Sequence, residues 1–116
     1  MSTISIYHNP RCSKSRQTLA LLEEQGINAD IVDYLKIPPT AESLNEILQQ
    51  LDFTPRQLLR KGEAIYKELN LKNESLTDVQ LVKAMCEHPK LIERPIVIHN
   101  GKAKIGRPPE SVLEIL

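Results

Sequence analysis

The amino-terminal third of the sequence alternates between residues typical of strands and residues typical of helices, and this order restricts the fold more than any other feature. Residues 4–7 favour a strand, which must end before Pro10 because proline has no amide hydrogen to pair within a sheet. Apolar residues at helical spacing follow over about 13–25, and Gly26 is a typical helix end. Residues 31–34 again favour a strand. A strand, a helix and a second strand in this order predict a right-handed parallel β-α-β unit.

The middle of the chain, from residue 38 to about residue 92, shows only helical periodicity. Three threonines stand where helices are expected to begin, because a threonine hydroxyl can accept a hydrogen bond from a first-turn amide. They are Thr40, Thr54 before Pro55, and Thr77, which is spaced to form a capping box with Gln80. The segment is therefore predicted to be a helical insert.

Strand-like residues return near the carboxyl end, over 96–98 and 102–105. Between them lies the pair Asn100-Gly101, which is typical of a tight hairpin turn, so these two strands are predicted to be antiparallel. Two consecutive prolines and a glutamate at 108–110 then open a short terminal helix. The residues of this helix expected to face inward are Val112, Leu113 and Leu116.

The whole pattern of β-α-β, helices and β-β-α predicts an α/β fold with a thioredoxin-like mixed four-stranded sheet. The chain has 116 residues, of which 41% are hydrophobic, and this is enough to bury one core. We therefore expect residues 1–116 to form a single thioredoxin-like domain with its helical insert at about 38–92.

Charge, hydropathy and cysteine usage exclude several classes of protein. Fifteen Lys and Arg balance fifteen Asp and Glu, which argues against nucleic-acid binding. No apolar run approaches the roughly 20 residues of a membrane span, and the first residues show no secretory signal, so a cytoplasmic protein with no membrane partner is expected. The two cysteines, Cys12 and Cys86, are too few for a disulfide framework or a zinc site. No bound metal or cofactor is expected.

Cys12 is the candidate nucleophile, because it lies where the first strand leads into the first helix. The free amides and the dipole of the helix amino terminus favour a thiolate at this position, and His8, Lys14 and Arg16 could add positive charge. The alternative is that Cys12 is simply a small buried residue.

Ser15 completes a C-x-x-S motif with Cys12, in which a hydroxyl replaces the second thiol of a redox pair. A local disulfide is therefore impossible, and Ser15 either adjusts the reactivity of Cys12 through a hydrogen bond or is an ordinary first-turn serine. Cys86 lies on the inward stripe of a predicted helix, so a packing role is expected, with a resolving disulfide to Cys12 as the alternative.

The loop at residues 8–16 resembles the active-site loop of the glutaredoxin-linked arsenate reductase family, the ArsC family. Three further segments, 58–61, 94–97 and 106–108, resemble the places where that family carries its oxyanion-binding arginines. Residues 13–14 are Ser-Lys, where arsenate reductases have a smaller Gly-Thr pair. In this respect the chain most closely resembles a branch of the family whose members are uncharacterised reductases.

The resemblance implies a glutathione- and glutaredoxin-dependent arsenate reductase that acts through one nucleophilic cysteine. By this resemblance Cys12 attacks arsenate, glutathione serves as the reducing co-substrate and displaces the product, and glutaredoxin recycles the enzyme. His8 and Ser15 are implied to support the ionised thiol, and a cis bond is implied before Pro95. The enzyme is expected to be a monomer. The residues implied to hold arsenate or a similar oxyanion are Arg60, Arg94 and Arg107.

Arginines suit this task on physical grounds, since an oxyanion beside a thiolate meets like charge and a forked guanidinium offsets the repulsion. A solvated surface arginine is the alternative, most of all for Arg60. Two other functions remain open from the sequence. One is a monothiol reductase of another substrate, such as a mixed disulfide, and the other is an Spx-type regulator that binds RNA polymerase.

Overall fold

The computed structural model describes residues 4–116, which divide into two compact units. The first unit comprises the described residues up to Lys36 together with Arg94–Leu116, and the second comprises Ile37–Glu93. The assignment of the whole chain to a single domain stays a prediction. No helix within residues 4–116 has the length and the apolar character to cross a membrane.

The first unit contains a mixed four-stranded sheet with the spatial order β2-β1-β3-β4. Its strands are β1 (Ile4–Tyr7), β2 (Asp30–Val32), β3 (Ile96–His99) and β4 (Lys102–Ile105). Strands β1 and β2 are parallel, whereas β1 pairs with β3 and β3 pairs with β4 in antiparallel fashion. The predicted α/β fold with a thioredoxin-like mixed sheet is thereby confirmed.

Helix α1 (Ser13–Glu24) connects the two parallel strands. Its carboxyl end is followed by Gly26 at φ 76°, a left-handed conformation that glycine adopts without steric cost. Strand β2 begins one residue earlier than predicted and ends at Val32, so Tyr34 lies in a turn. The Tyr34 ring is buried and stacks on Tyr7 with 5.8 Å between the ring centroids. The large aromatic residue at position 34 therefore serves to pack against Tyr7, and it does not take part in strand pairing.

The second unit is helical and contains α2 (Ala41–Leu51), α3 (Pro55–Leu58), α4 (Ala64–Glu68) and α5 (Asp78–Glu87). The three threonine caps are present, since each hydroxyl accepts an amide hydrogen bond from the third residue of its helix. The capping box predicted at Thr77 and Gln80 is confirmed, and Thr54 forms a second box with Gln57. Helix α4 was not predicted, because it is only five residues long and its N-cap residue, Glu63, forms no capping hydrogen bond such as the one that Thr54 forms for the equally short α3.

The carboxyl-terminal hairpin follows the prediction closely. Asn100 and Gly101 have φ values of 53° and 74°, as the tight turn requires, and β4 has the predicted limits. The terminal segment Pro109–Ile115 is a 3₁₀ helix, in which residues three apart share a face. Val112 is therefore buried and Ile115 packs beside it, whereas Leu113 and Leu116 are each 40% exposed. The expectation that the last two leucines face inward was wrong.

The core of the first unit joins the sheet to α1 and the terminal 3₁₀ helix. Each fully buried aliphatic side chain in such a core contributes about 1.5–3 kcal/mol. Its fully buried members are Ile6, Leu22, Val97 and Val112. This core fixes the start of α1 beside the carboxyl ends of β1 and β4. Cys12 directly precedes α1, and Arg107 follows β4 by two residues.

Candidate active site

Cys12 is the N-cap of α1, so its sulfur lies at the end of the helix that carries partial positive charge. The loop before it is closed by a 3.0 Å hydrogen bond from the Cys12 amide to the Asn9 carbonyl. The first intrahelical bond, 3.0 Å long, runs from the Arg16 amide to the Cys12 carbonyl. The cysteine is half-buried, which leaves its thiol open to a small reactant.

Arg107 reaches this sulfur from the opposite end of the chain. Its Nη2 lies 3.7 Å from the Cys12 Sγ, within the range of a hydrogen bond to sulfur. Its Nε donates to the Arg94 carbonyl at 2.9 Å, so two of the three guanidinium nitrogens have defined partners. An exposed guanidinium held beside a thiol can bind an anion that approaches the sulfur.

His8 and Ser15 form a buried polar pair beneath the loop. The Nδ1 of His8 and the Oγ of Ser15 are 2.6 Å apart, and the direction of this hydrogen bond depends on the tautomer of the imidazole. The Asn9 amide also donates to the Ser15 Oγ, at 3.0 Å. His8 is 8% exposed and Ser15 is fully buried. Ser15 therefore joins the loop to the first turn of α1.

Burial lowers the pKa of His8 below its ordinary value, and the nearby Arg16 guanidinium lowers it further, whereas the Asp33 carboxylate acts in the opposite direction. Neutral imidazole is therefore the favoured form at neutral pH. In this form His8 supports the loop through its hydrogen bond and adds no charge of its own.

The loop and the first helical turn are rich in cations. Lys14 and Arg16 lie in the first turn of α1, which contains no acidic residue. A helix amino terminus ordinarily favours acidic side chains, so this arrangement increases the positive potential near the sulfur. Arg16 also donates from Nη1 to the Pro10 carbonyl at 2.8 Å, and Arg11 donates its amide to the Asn9 Oδ1 at 3.0 Å. These bonds stiffen the turn that presents Cys12.

Arg94 is half-buried and immediately precedes Pro95 at the start of β3. The peptide bond between them is cis, as the family resemblance implied, and the Arg107–Pro108 bond is cis as well. Of the six predicted site residues, the structure thus brings together two groups in the first unit. One is Cys12 with Arg107 and the Arg94 backbone, and the other is His8 with Ser15.

Comparison with known proteins places this arrangement in a family. The family model of ArsC matches residues 7–115. The chain belongs to the ArsC family. It is 53% identical over 115 residues to an arsenate reductase of Haemophilus influenzae, covering 98% of this chain and 99% of that protein. It is also 54% identical over 114 residues to the uncharacterised protein YfgD of Escherichia coli K12, covering 97% of this chain and 96% of that one.

A solved structure agrees with these sequence matches. An arsenate reductase from Vibrio cholerae superposes with a TM-score of 0.96 at 56% identity, and the match covers 98% of each chain. The branch of the family that the Ser-Lys pair suggested is consistent with the likeness to YfgD. The ArsC-family fold is therefore shared over nearly the whole length of the chain.

Arg60 of this ArsC-family chain lies in the second unit, where two carboxylates surround its half-buried guanidinium. Its Nη1 lies 3.1 Å from the Glu63 Oε1, and its Nε lies 3.5 Å from the Glu93 Oε1. Its amide donates to the Leu91 carbonyl at 2.7 Å. These bonds fix the position of the side chain, and the oxyanion-binding role of Arg60 stays a prediction.

Cys86 lies on α5 in the second unit, and both cysteines are free thiols. The residue is half-buried beside a cavity of about 380 Å³ that Val79 and Val82 also line. Burial raises the pKa of the Cys86 thiol, and the neighbouring Glu87 carboxylate raises it further. Cys86 is therefore a poor nucleophile at neutral pH, in keeping with the expected packing role.

Sequence reasoning missed two polar residues that organise the site. Asn9 contributes both its amide and its side-chain oxygen to the loop, and its place before a proline is a recognisable turn signal. Thr18 is fully buried and donates its hydroxyl to the Lys14 carbonyl at 2.8 Å. A threonine within a leucine-rich helical stripe is a weak signal, because its partner lies on its own backbone. Among residues 4–116 no group of three or more potential metal ligands is present.

Proposed function

We propose that this ArsC-family protein reduces arsenate to arsenite, with the sulfur of Cys12 as the nucleophile and glutathione as the reductant. The observation that carries the proposal is the Arg107 guanidinium 3.7 Å from a cysteine sulfur at the amino terminus of α1. The arsenate reductase names of relatives at 48–53% identity support the choice of substrate.

Repulsion is the main physical obstacle to such a reaction. Arsenate carries negative charge at neutral pH, and a thiolate approaching it is repelled. Arg107 lies where it can neutralise the anion, and the helix amino terminus adds amides and positive potential on the same side. Arg94, which supplies the carbonyl that anchors Arg107, is the second candidate ligand of the oxyanion in this unit.

The first chemical step forms a bond between sulfur and pentavalent arsenic. The Cys12 thiolate attacks arsenic, and one arsenate oxygen leaves as water after protonation. No electrons have yet been transferred to arsenic in the net sense, because the intermediate is a thiol ester of arsenate. Only one protein thiol is used, as the C-x-x-S motif offers a hydroxyl and no second thiol at Ser15.

The second step is the reduction. A glutathione thiolate attacks the Cys12 sulfur, a disulfide forms between Cys12 and glutathione, and the electron pair of the sulfur–arsenic bond remains on arsenic. Arsenic leaves as trivalent arsenite, while the two sulfurs are together oxidised by two electrons. Glutaredoxin with a further glutathione then reduces the mixed disulfide, which restores the Cys12 thiol and yields oxidised glutathione.

Arsenate turnover tests this proposal directly. The purified protein is assayed with glutathione and glutaredoxin, and each of the two is omitted in turn. We expect turnover only when both are present, complete loss in Cys12→Ser, and retained turnover in Cys86→Ala. Mass spectrometry of the stalled enzyme without glutaredoxin should show glutathione attached to Cys12. Turnover in Cys12→Ser, or a disulfide between Cys12 and Cys86 in place of the adduct, would reject the mechanism.

A parallel assay separates this proposal from the monothiol alternative. A glutathionylated peptide replaces arsenate while the other components remain the same. Faster turnover of the peptide than of arsenate would identify a reductase of mixed disulfides. The monomeric state and the cytoplasmic location stay predictions.

A further inference from the structure

Gly106 lies in a space that admits no side chain. A Cβ added at this residue would overlap the Oγ1 of Thr18, and it would lie only 2.8 Å from the Pro95 Cγ and 3.1 Å from the Thr18 Cγ2. Real Cβ atoms essentially never lie within 3.0 Å of such heavy atoms, so the first two of these contacts show that an alanine here forces a displacement. Gly62, by contrast, has nothing within 4 Å of its hypothetical Cβ.

The neighbours of Gly106 have little freedom to move. Thr18 is fully buried in the middle of α1, and its Oγ1 is held at 2.8 Å from the Lys14 carbonyl. Pro95 is buried, and its carbonyl accepts the Gly106 amide at 3.0 Å. Closely packed interiors resist even small changes in volume. We therefore expect the displacement on the exposed side, in the segment that begins with Arg107.

Gly106 thus connects three parts of the site. It touches the helix that Cys12 caps, it touches the proline that follows Arg94, and it precedes Arg107 in the chain. The 3.7 Å contact of the Arg107 Nη2 with Cys12 is therefore made by the residue that directly follows the backbone packed against Thr18 and Pro95.

We propose that Gly106 and Thr18 are positioning residues, whose direct backbone-to-side-chain contact sets the Arg107 guanidinium at the distance from the Cys12 sulfur that anion binding requires. The inference rests on the proposed function for its biological meaning, since it explains how the oxyanion-binding arginine is held. The effect of residue 106 on the positive charge near the Cys12 sulfur can, however, be measured without arsenate.

The rate of alkylation measures that charge. Iodoacetate is an anion and iodoacetamide is neutral, and both react with the same thiolate. We take the rate with iodoacetate divided by the rate with iodoacetamide, both measured at Cys12. This ratio rises with the local positive charge and is independent of the fraction of thiol that is ionised. Peptide mass analysis restricts the measurement to Cys12, and low salt keeps the electrostatic contribution large.

Three single variants calibrate the effect. Arg107→Ala should lower the ratio about threefold, because it removes the attraction of one solvated cation for the anionic reagent. Gly106→Ala should lower it nearly as much, although it leaves Arg107 in the sequence. Gly62→Ala, the matched glycine substitution without a steric neighbour, should leave the ratio and the melting temperature unchanged.

Substitution of Thr18 in the Gly106→Ala protein provides the decisive comparison. Thr18→Ala removes the closest neighbour, the Oγ1, together with the Cγ2, and leaves the Pro95 Cγ at 2.8 Å, so it should restore the ratio part of the way towards that of the parent protein. Thr18→Ser retains the Oγ1, which is the closest neighbour, and should not restore it. This pair of changes distinguishes removal of a specific overlap from a general loosening of the helix.

The outcomes separate this inference from the proposed function. A Gly106→Ala protein with the parent ratio would overturn the inference, as would a Gly106→Ala, Thr18→Ala protein that stays unfolded or keeps the lowered ratio. If Gly106→Ala itself fails to fold, restoration of fold and ratio in that double variant supports the inference. Absence of arsenate turnover in the parent protein, with the expected ratios in all variants, would reject the function and leave the positioning role standing.

Discussion

The Nη2 of Arg107 lies 3.7 Å from the Sγ of Cys12, although 95 positions separate the two residues in the chain. The sheet order explains the contact, because β3 lies between β1 and β4 and brings the residues after β4 towards the loop after β1. A cationic side chain and a candidate nucleophile are thereby combined in the first unit. This pair is the physical basis of the anion chemistry proposed above.

Replacement of Arg107 should weaken oxyanion binding. Arg107→Ala removes a charge-assisted donor, so we expect KM for arsenate to rise about tenfold or more. Arg107→Lys keeps the charge and loses the forked geometry, so its KM should lie between those of the parent and the alanine variant. Lys72→Ala, which removes an exposed cation of the second unit, is the control. An unchanged KM in Arg107→Ala would contradict the assignment.

Replacement of Ser15 should destabilise the fold. Ser15→Ala leaves the Asn9 amide and the His8 Nδ1 without their buried partner, and each such loss costs about 1–3 kcal/mol. The free energy of unfolding from urea titration should fall by that order. Ser13→Ala, an exposed serine of the same helical turn, should change it by less than about 0.5 kcal/mol. Equal stability of the two variants would show that the Ser15 hydrogen bonds contribute little.

The stability of the protein should depend on the ionisation of His8. Its pKa in the folded state is lowered, chiefly by burial, so the unfolded chain binds a proton more readily as the pH falls below the ordinary value of 6.5. The contribution of neutral His8 to the free energy of unfolding is therefore complete well above pH 6.5. It is lost progressively as the pH falls below 6.5, and the loss ends once the pH is below the pKa of the folded state. His8→Asn removes the titrating group and keeps a polar atom near the Nδ1 position.

Urea titrations at about pH 8 and about pH 5 measure the His8 effect. The parent protein should lose more free energy of unfolding between these two conditions than His8→Asn does, because the remaining ionisable groups are common to both proteins. If both proteins lose the same amount, protonation of His8 does not contribute to the pH dependence.

Replacement of Arg60 should have an effect on stability that is separate from any effect on binding. Two carboxylates, Glu63 and Glu93, lie within 3.5 Å of its guanidinium. Arg60→Ala leaves both without this cation, and we expect a loss of about 1 kcal/mol for these half-buried pairs. A rise in KM for arsenate under conditions in which Arg60→Ala is still folded would support the predicted oxyanion role. An unchanged KM would limit Arg60 to a structural role in the second unit.

Cys86 should alkylate slowly at neutral pH. Burial and the Glu87 carboxylate raise the pKa of its thiol, so iodoacetamide should modify Cys86 of the Cys12→Ser protein more slowly than free cysteine at about pH 7.5. Glu87→Gln should increase the rate by removing the second cause. Modification as fast as that of free cysteine would show that the thiol is more accessible and more acidic than the structure indicates.

Local interactions account for what could be predicted from the sequence. The caps at Thr40, Thr54 and Thr77 and the turn at Asn100-Gly101 depend on residues at most a few positions apart, so short motifs were sufficient. The position of Cys12 at a helix amino terminus followed from the same reasoning. The errors, at Tyr34 and the terminal leucines, concern side chains whose burial depends on distant partners or on the helix type.

The sequence by itself thus determined the order of strands and helices, their caps and turns, and the candidate nucleophile Cys12. Only the tertiary structure decided that Arg107 contacts that sulfur, that His8 and Ser15 share a buried hydrogen bond, and that Gly106 packs against Thr18. The reason is physical. Local backbone preferences act over a few residues and can be read from short motifs, whereas these contacts depend on strand pairing and close packing between segments far apart in the chain.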